Sequence, residues 1–313
     1  MATVLITGGA GFIGSNLARA LLARGDEVRI IDDLSSGRLS NLTPILDQLT
    51  FMKGDIRNAE QVTEIMTGVD YVLHQAALPS VARSVDNPLL SNDVNVNGCL
   101  NVLNVARQVG VKRLVFAASS SAYGETAVLP KVETMAPKPQ SPYGVAKLAC
   151  EYYLQAFHHV YGLETVSLRY FNVFGARQAP DSAYAAVIPL FVTLMMNGQR
   201  PTVNGDGLHS RDFCYIDNVV EANLKALTAP NAPGKVYNVA VGGRYTLMDL
   251  IAAINETLGT DIAPIHGPER AGDIRHSQAD ITAAQRDLGY SAAIDFGEGL
   301  RRTIGWYQDQ AGL

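Results

Sequence analysis

Cysteine is scarce in this chain. Cys99, Cys150 and Cys214 lie far apart, without metal-site or disulfide-framework spacing. They are expected to be reduced thiols, as in a cytoplasmic enzyme, and no metal is expected. Charge is also low: 18% of the 313 residues are Asp, Glu, Lys or Arg, the net charge is −5, and no Lys/Arg run offsets it. Nucleic acid and anionic membranes are therefore not expected as partners. The longest apolar run, 183–196, is broken by Pro189 and is too short to cross a bilayer. A strand-like run begins at Thr3 with no basic, apolar leader before it, so no signal peptide is expected. No repeat or low-complexity segment occurs. What remains is a chain with 47% hydrophobic residues, long enough for a large core and two lobes.

Thr3–Thr7 is short, β-branched and continuously apolar, as expected of a strand buried on both faces. Gly8-Gly9-Ala10-Gly11-Phe12-Ile13-Gly14 follows, and Ser15–Arg24 reads as helix. Gly8, Gly11 and Gly14 permit a tight turn, close approach to a pyrophosphate and close helix–strand packing. The helix N-terminus offers N–H groups to the phosphates. A second strand, Glu27–Ile31, ends at Asp32, which stands where a carboxylate takes ribose hydroxyls and repels a 2′-phosphate. NAD is thus expected over NADP.

Strands alternate with helices further on, which implies a parallel sheet covered by helices. Thr50–Lys53 leads into Asp55, within reach of an adenine amino group. Val69–Leu73 ends in His74-Gln75-Ala76-Ala77, where small residues admit a dinucleotide. His74 tempts as a base but has no partner named by sequence, so it reads as structural. Leu89–Val109 reads as one helix, and Asn95 within it needs polar partners. Val111–Ala117 is a strand with Ser119-Ser120-Ser121 at its carboxyl end, where open α/β sheets bind ligands.

Ser141-Pro142 has the form of a helix N-cap and first turn, and Tyr143–His159 reads as the helix. Tyr143 and Lys147 are i and i+4, so they share a face. A phenol ordinarily titrates near pH ~10, and an ammonium one turn away favours its anion. That is a route to a usable acid or base at neutral pH. After the strand Leu163–Tyr170 the regular alternation stops. Glycine- and proline-rich loops suggest a smaller lobe, and Val236–Val241 reads as a strand returning to the main sheet. The expected fold is α/β: a doubly wound parallel-sheet Rossmann domain (1–175 plus about 236–241) with a partly interleaved α/β lobe (176–313). Leu247–Leu258 and Ile281–Leu288 read as helices in that lobe.

The ordered set Thr7-Gly8-Gly9-Ala10-Gly11-Phe12-Ile13-Gly14, Asp32, Asp55-Ile56, Ser119, Tyr143 with Lys147, and Leu168-Arg169-Tyr170-Phe171-Asn172 resembles the extended short-chain dehydrogenase/reductases. The likeness is to the UDP-glucose and UDP-N-acetylglucosamine 4-epimerases. It implies Tyr143 as the base at the sugar 4-hydroxyl, Lys147 on the nicotinamide ribose, and Ser119 on the 4-oxygen. It also implies a tightly held NAD touching Gly8, Gly11, Phe12, Ile13, Gly14, Asp32, Asp33, Ser36, Gly37, Asp55 and Ile56. Further cofactor contacts fall at Gln75, Ala76, Ala77, Asn95, Ala117, Tyr170 and Phe171.

For the substrate, the resemblance implies a diphosphate held by Asn172 and Arg211, and a nucleotide ribose clamped by Arg270 and Asp273. The uracil falls near Val203 and Asn204. Ser120, Gln178, Ala186, Val187 and Ser277 line the sugar pocket. Pro79 departs from the glycine usual there. Ser277 takes the place where a tyrosine goes with plain hexoses only, so 2-N-acetyl sugars are expected to fit. Related 4,6-dehydratases carry an Asp-Glu pair where this chain has Ser120-Ser121, which cannot act as acid and base at pH 7. Dinucleotide-sensing relatives typically lack the Tyr/Lys pair, which is intact here. A homodimer through Leu89–Val109 and Tyr143–His159 is implied as well.

Overall fold

The computed structural model describes residues 1–180, 186–268 and 275–312. Seven parallel strands form the main sheet. Six of them, β1 (Thr3–Thr7), β2 (Glu27–Asp32), β3 (Thr50–Lys53), β4 (Tyr71–His74), β5 (Arg113–Ser119) and β6 (Glu164–Tyr170), stand in the order 3-2-1-4-5-6. The seventh, Lys235–Val239, pairs with β6 and closes that edge, so the returning strand expected from the sequence is present. The order reverses between β1 and β4, and a crevice opens at the carboxyl ends of such strands.

The inner strands bury both faces, whereas the edge strand β3 has no buried residue. Leu5, Val72, Leu114 and Phe116 pack with Val62, Ile65, Val102, Leu103, Cys150 and Leu154 from the helices Ala59–Met66, Gly98–Val109 and Pro142–Tyr161. Val4, Ile6, Leu73 and Val115 face the other way, onto Leu17 and Leu21 of helix α1 (Phe12–Ala23) and Val219 and Ala222 of the helix Ile216–Ala226. That second core continues without a break into the C-terminal elements. There Phe213, Tyr245 and Phe296 stack, with ring centres 5.5 Å (Phe213–Phe296) and 4.2 Å (Tyr245–Phe296) apart. Short strand pairs join Thr202–Asn204 to Ile265–Gly267 and Ser210–Arg211 to Tyr245–Thr246.

Several boundaries move, and two of the moves matter. The expected single helix over 89–109 is broken: Pro88–Asn92 runs into a widened π turn at Asp93–Asn97 before Gly98–Val109. Asn95 marks the break. Its amide spans Leu78, accepting from Leu78 N at 2.8 Å and donating to Leu78 O at 3.4 Å, and it also donates to Ser91 Oγ. A polar side chain drawn to a neighbouring segment is a known cause of such a bulge. The other move is at β5, which reaches Ser119, so the candidate serine is the last residue of the strand.

Candidate active site

The glycine loop is built for close approach. Gly8 has φ +70°, and a Cβ there would sit 2.7 Å from Ala76 Cα. A Cβ on Gly14 would lie 2.4 Å from Gly8 O, so the turn and α1 can meet only without side chains. Gly11 is the N-cap of α1, and no side chain caps that helix end. Its N–H groups are thus left for an anion.

Asp32, at the tip of β2, holds the loop from the other side. One carboxylate oxygen accepts from Ala10 N at 2.9 Å and the other from Leu34 N at 2.8 Å. Burial raises its pKa, and these backbone donors work against the rise. A Cβ on Gly37 would come within 2.9 Å of both oxygens, so the following loop folds over the carboxylate. Asp33 accepts from Ser35 N and Oγ, and Ser36 is exposed. Asp55 is gripped by the Arg57 guanidinium, which lowers its pKa. Ile56 is buried against Gly98. An acidic cradle of this kind suits the cofactor expected from the sequence, NAD, whose ribose 2′-position carries no phosphate.

His74 is confirmed as structural. It is 1% exposed, its Nδ1 lies 2.6 Å from Thr7 Oγ1, and burial together with the Lys147 charge pushes its pKa down to about 3. Thr7 Oγ1 in turn accepts Ala76 N, which fixes the Gln75-Ala76-Ala77 turn beside Gly8. Tyr170 is drawn inward, where its hydroxyl meets Gln75 Oε1 and the Asn223 side chain and burial raises its pKa. Phe171 is fully buried against Tyr123, Ala240 and Ala279.

Of the candidate reacting groups, Ser119 ends β5, while Tyr143 and Lys147 stand in the first turns of the helix Pro142–Tyr161. Ser141 Oγ caps Gly144 N at 3.1 Å and Pro142 occupies the first turn, as the sequence predicted. Ser84 Oγ accepts Tyr143 N at 3.1 Å, a support the sequence did not single out. Lys147 is 3% exposed. Its Nζ donates to Ala117 O at 2.7 Å and lies 4.7 Å from the Phe116 ring centre and 5.9 Å from the Tyr143 ring centre. Ser119 Oγ accepts from Ser121 N at 3.2 Å and Ser121 Oγ at 2.8 Å. Its own O–H is thereby left to donate elsewhere. One turn beyond Lys147, Glu151 forms a buried ion pair with Arg169 of β6 at 2.7 Å, tying the helix Pro142–Tyr161 to the sheet.

The proposed substrate residues are spread more widely. Asn172 Nδ2 reaches Asp212 O only at 3.5 Å, and Cys214 N donates to Asn172 O. Arg211 Nη1 donates to Ser210 O and Arg275 O. Ser277 is 5% exposed and its N–H also goes to Ser210 O, which brings it beside Arg211. Val203 is buried, whereas Asn204, Ala186 and Pro79 are exposed. Gln178 donates to Val173 O and lines a cavity of about 410 Å³ with Arg19, Arg177 and Trp306; none of Ser119, Tyr143 or Lys147 lines that cavity. Arg270 and Asp273 lie outside the described residues. No cluster of three or more His, Cys, Asp or Glu side chains suited to a metal occurs among the described residues.

Residues 4–240 match the model of the "NAD dependent epimerase/dehydratase family". The chain belongs to this family. A curated relative, the UDP-glucose 4-epimerase of Mycolicibacterium smegmatis, is 36% identical over 316 residues, covering 98% of this chain and 99% of its own. The UDP-N-acetylglucosamine 4-epimerase of Methanobrevibacter ruminantium, solved with UDP-N-acetylmuramic acid, superposes with a TM-score of 0.94 at 41% identity over 99% of both chains. The UDP-glucose 4-epimerase of Thermus thermophilus, solved in complex with NAD, gives 0.89 at 37%, covering 98% of this chain and 99% of that one. With Ser120 and Ser121 in place of an acid–base pair, the activity is NAD-dependent 4-epimerisation of a nucleotide sugar.

Proposed function

We propose that the protein interconverts UDP-N-acetylglucosamine and UDP-N-acetylgalactosamine, and accepts UDP-glucose and UDP-galactose as well. A bound NAD would supply a reversible hydride acceptor for the sugar C4, by way of a transient 4-keto sugar. The chain's own groups manage the proton and the geometry. Tyr143 takes the 4-hydroxyl proton and gives it back. Ser119 donates a hydrogen bond to the 4-oxygen. Lys147, fixed by Ala117 O, supplies positive charge beneath both and reaches the nicotinamide ribose. Rotation of the keto sugar between the two hydride transfers needs a holder remote from C4, the role we give to Asn172 and Arg211 on the diphosphate.

Ser277 carries the choice of substrate. A small side chain beside the Ser210–Arg211 strand is what a pocket open to a 2-N-acetyl group calls for. A phenol ring there would overpack that volume by about 1–3 kcal/mol. Ser277→Tyr should therefore suppress turnover of the N-acetyl sugars about 5- to 150-fold while sparing the plain hexoses. Equal losses on both classes, or none, would remove Ser277 from that role. One feature favours a strict UDP-glucose 4-epimerase instead: Pro79, exposed, stands where the N-acetyl-preferring relatives tend to have glycine.

We also infer a homodimer. Leu89, Leu90, Val145, Tyr152, Tyr153, Val160 and Tyr161 are exposed along two neighbouring helical stretches, the kind of apolar surface that marks a protein contact. A groove between them is lined by Leu100, Tyr153, Phe157 and Tyr161. Two copies would bury it as a four-helix bundle. The three buried free cysteines suit a cytoplasmic location, and no helix among the described residues is long and apolar enough to cross a membrane.

A further inference from the structure

Asp212 stands directly after the Ser210–Arg211 strand and is fully buried. Its carboxylate is held by backbone N–H groups from two distant segments. One oxygen accepts from Val241 N at 3.1 Å, and the other accepts from Gly242 N at 3.0 Å and Ala279 N at 3.1 Å. Burial pushes its pKa up to about 6, against the pull of the N–H groups of Ala279, Val241, Gly242 and Gly243. A carboxylate is costly to take out of water, and here the backbone of both segments is turned to receive it.

Each segment that it gathers bears on the candidate substrate site. Val241 and Gly242 follow the seventh strand, Lys235–Val239, where it leaves the sheet. That strand pairs with β6, and β6 with β5, which ends at Ser119. Ala279 lies two residues after Ser277, whose N–H donates to Ser210 O. Gln278 Nε2 donates to Gly242 O at 2.8 Å and ties the two segments a second time. Asp212 is itself the neighbour of Arg211, and its carbonyl oxygen lies 3.5 Å from Asn172 Nδ2. One buried carboxylate therefore joins the Arg211 strand, the Ser277 segment and the edge of the main sheet.

We propose that Asp212 is a positioning residue for nucleotide-sugar binding: it fixes Arg211 and the Ser277 segment at a set distance from the sheet that carries Ser119. This rests on the reading that a UDP-sugar binds against Arg211 and Ser277. The holder of the diphosphate and the site of the C4 chemistry come from different parts of the chain, and Asp212 sets the span between them.

The test is steady-state turnover of UDP-N-acetylglucosamine and UDP-glucose, with UDP as a competing ligand, by the holoenzyme and by Asp212→Asn. Asparagine keeps the shape, yet it accepts on one side only and sets its NH2 against a backbone N–H on the other. Loss of a charge-assisted bond should raise KM for both sugars and the Ki of UDP together, by about 10- to 150-fold. The kcat should stay within about 3-fold, the signature of lost binding rather than lost chemistry. NAD released on denaturation should be unchanged, because other segments build the cofactor cradle. A residue that merely supported the fold would lower the melting temperature and leave KM alone. That result overturns the proposal, as does a fall in kcat with KM unmoved. Should Asp212→Asn fail to fold, Gln278→Leu decides, since it removes only the second tie between the same segments. There KM and Ki should rise about 2- to 10-fold with kcat intact, and unchanged values overturn the proposal. If the unaltered protein turned over no UDP-sugar and bound no UDP, the substrate reading itself would fall; normal KM and Ki in the variants sink only the role of Asp212.

Discussion

The Glu151–Arg169 pair offers the sharpest prediction about how the site is held. Both side chains are nearly fully buried, at 2% and 5% exposure, and the contact is bidentate at 2.7–2.9 Å. The Arg169 guanidinium also lies 4.5 Å from the Tyr123 ring centre. Glu151→Leu removes the carboxylate at similar volume and strands the guanidinium. Breaking one side of a buried pair costs about 3–5 kcal/mol. At about 2 °C per kcal/mol for a chain of this length, the melting temperature should fall roughly 6–10 °C. The double variant Glu151→Leu/Arg169→Met removes both charges and should recover most of that loss. It stays short of full recovery by the cation–π contact, about 0.5–2 kcal/mol. Urea unfolding of the two singles and the double completes the cycle. A cost under about 1 kcal/mol for Glu151→Leu, or a double variant as unstable as the sum of the singles, would refute the reasoning.

Tyr143→Phe should keep the fold and its NAD yet lose at least about 10²-fold in kcat, measured by coupled turnover. Lys147→Ala should be as damaging and should also release cofactor, seen as NAD in the flow-through of a desalting column. Gly14→Ala places a methyl 2.4 Å from Gly8 O and should yield protein purified without NAD. Burial holds His74 neutral with a pKa about 3, below its unfolded value near ~6.5, so its contribution to stability is full above that value. It is lost at up to about 1.4 kcal/mol per pH unit as pH falls from ~6.5 towards 3. His74→Gln should flatten that part of a melting-temperature series, and an unchanged slope would count against it.

The repeating parts were legible in the sequence. β1 and the Leu247–Leu258 helix fall where apolar runs place them, because each is bounded by glycine or a capping threonine. Tyr143 and Lys147 were readable because a helix fixes i and i+4 neighbours, whatever surrounds it. The π turn was not, since it depends on Asn95 finding Leu78, 17 residues away across the crevice. Ser84 and Asn223 support the site through contacts between separate elements, which no spacing rule records.

The central claim is a C4 epimerisation that needs no added redox partner. Purified protein incubated with UDP-N-acetylglucosamine and no added NAD should form UDP-N-acetylgalactosamine, followed by proton NMR of the sugar anomeric signals, with NAD released only on denaturation. A 4-keto-6-deoxy product, or turnover that starts only when NADP is supplied, would contradict it.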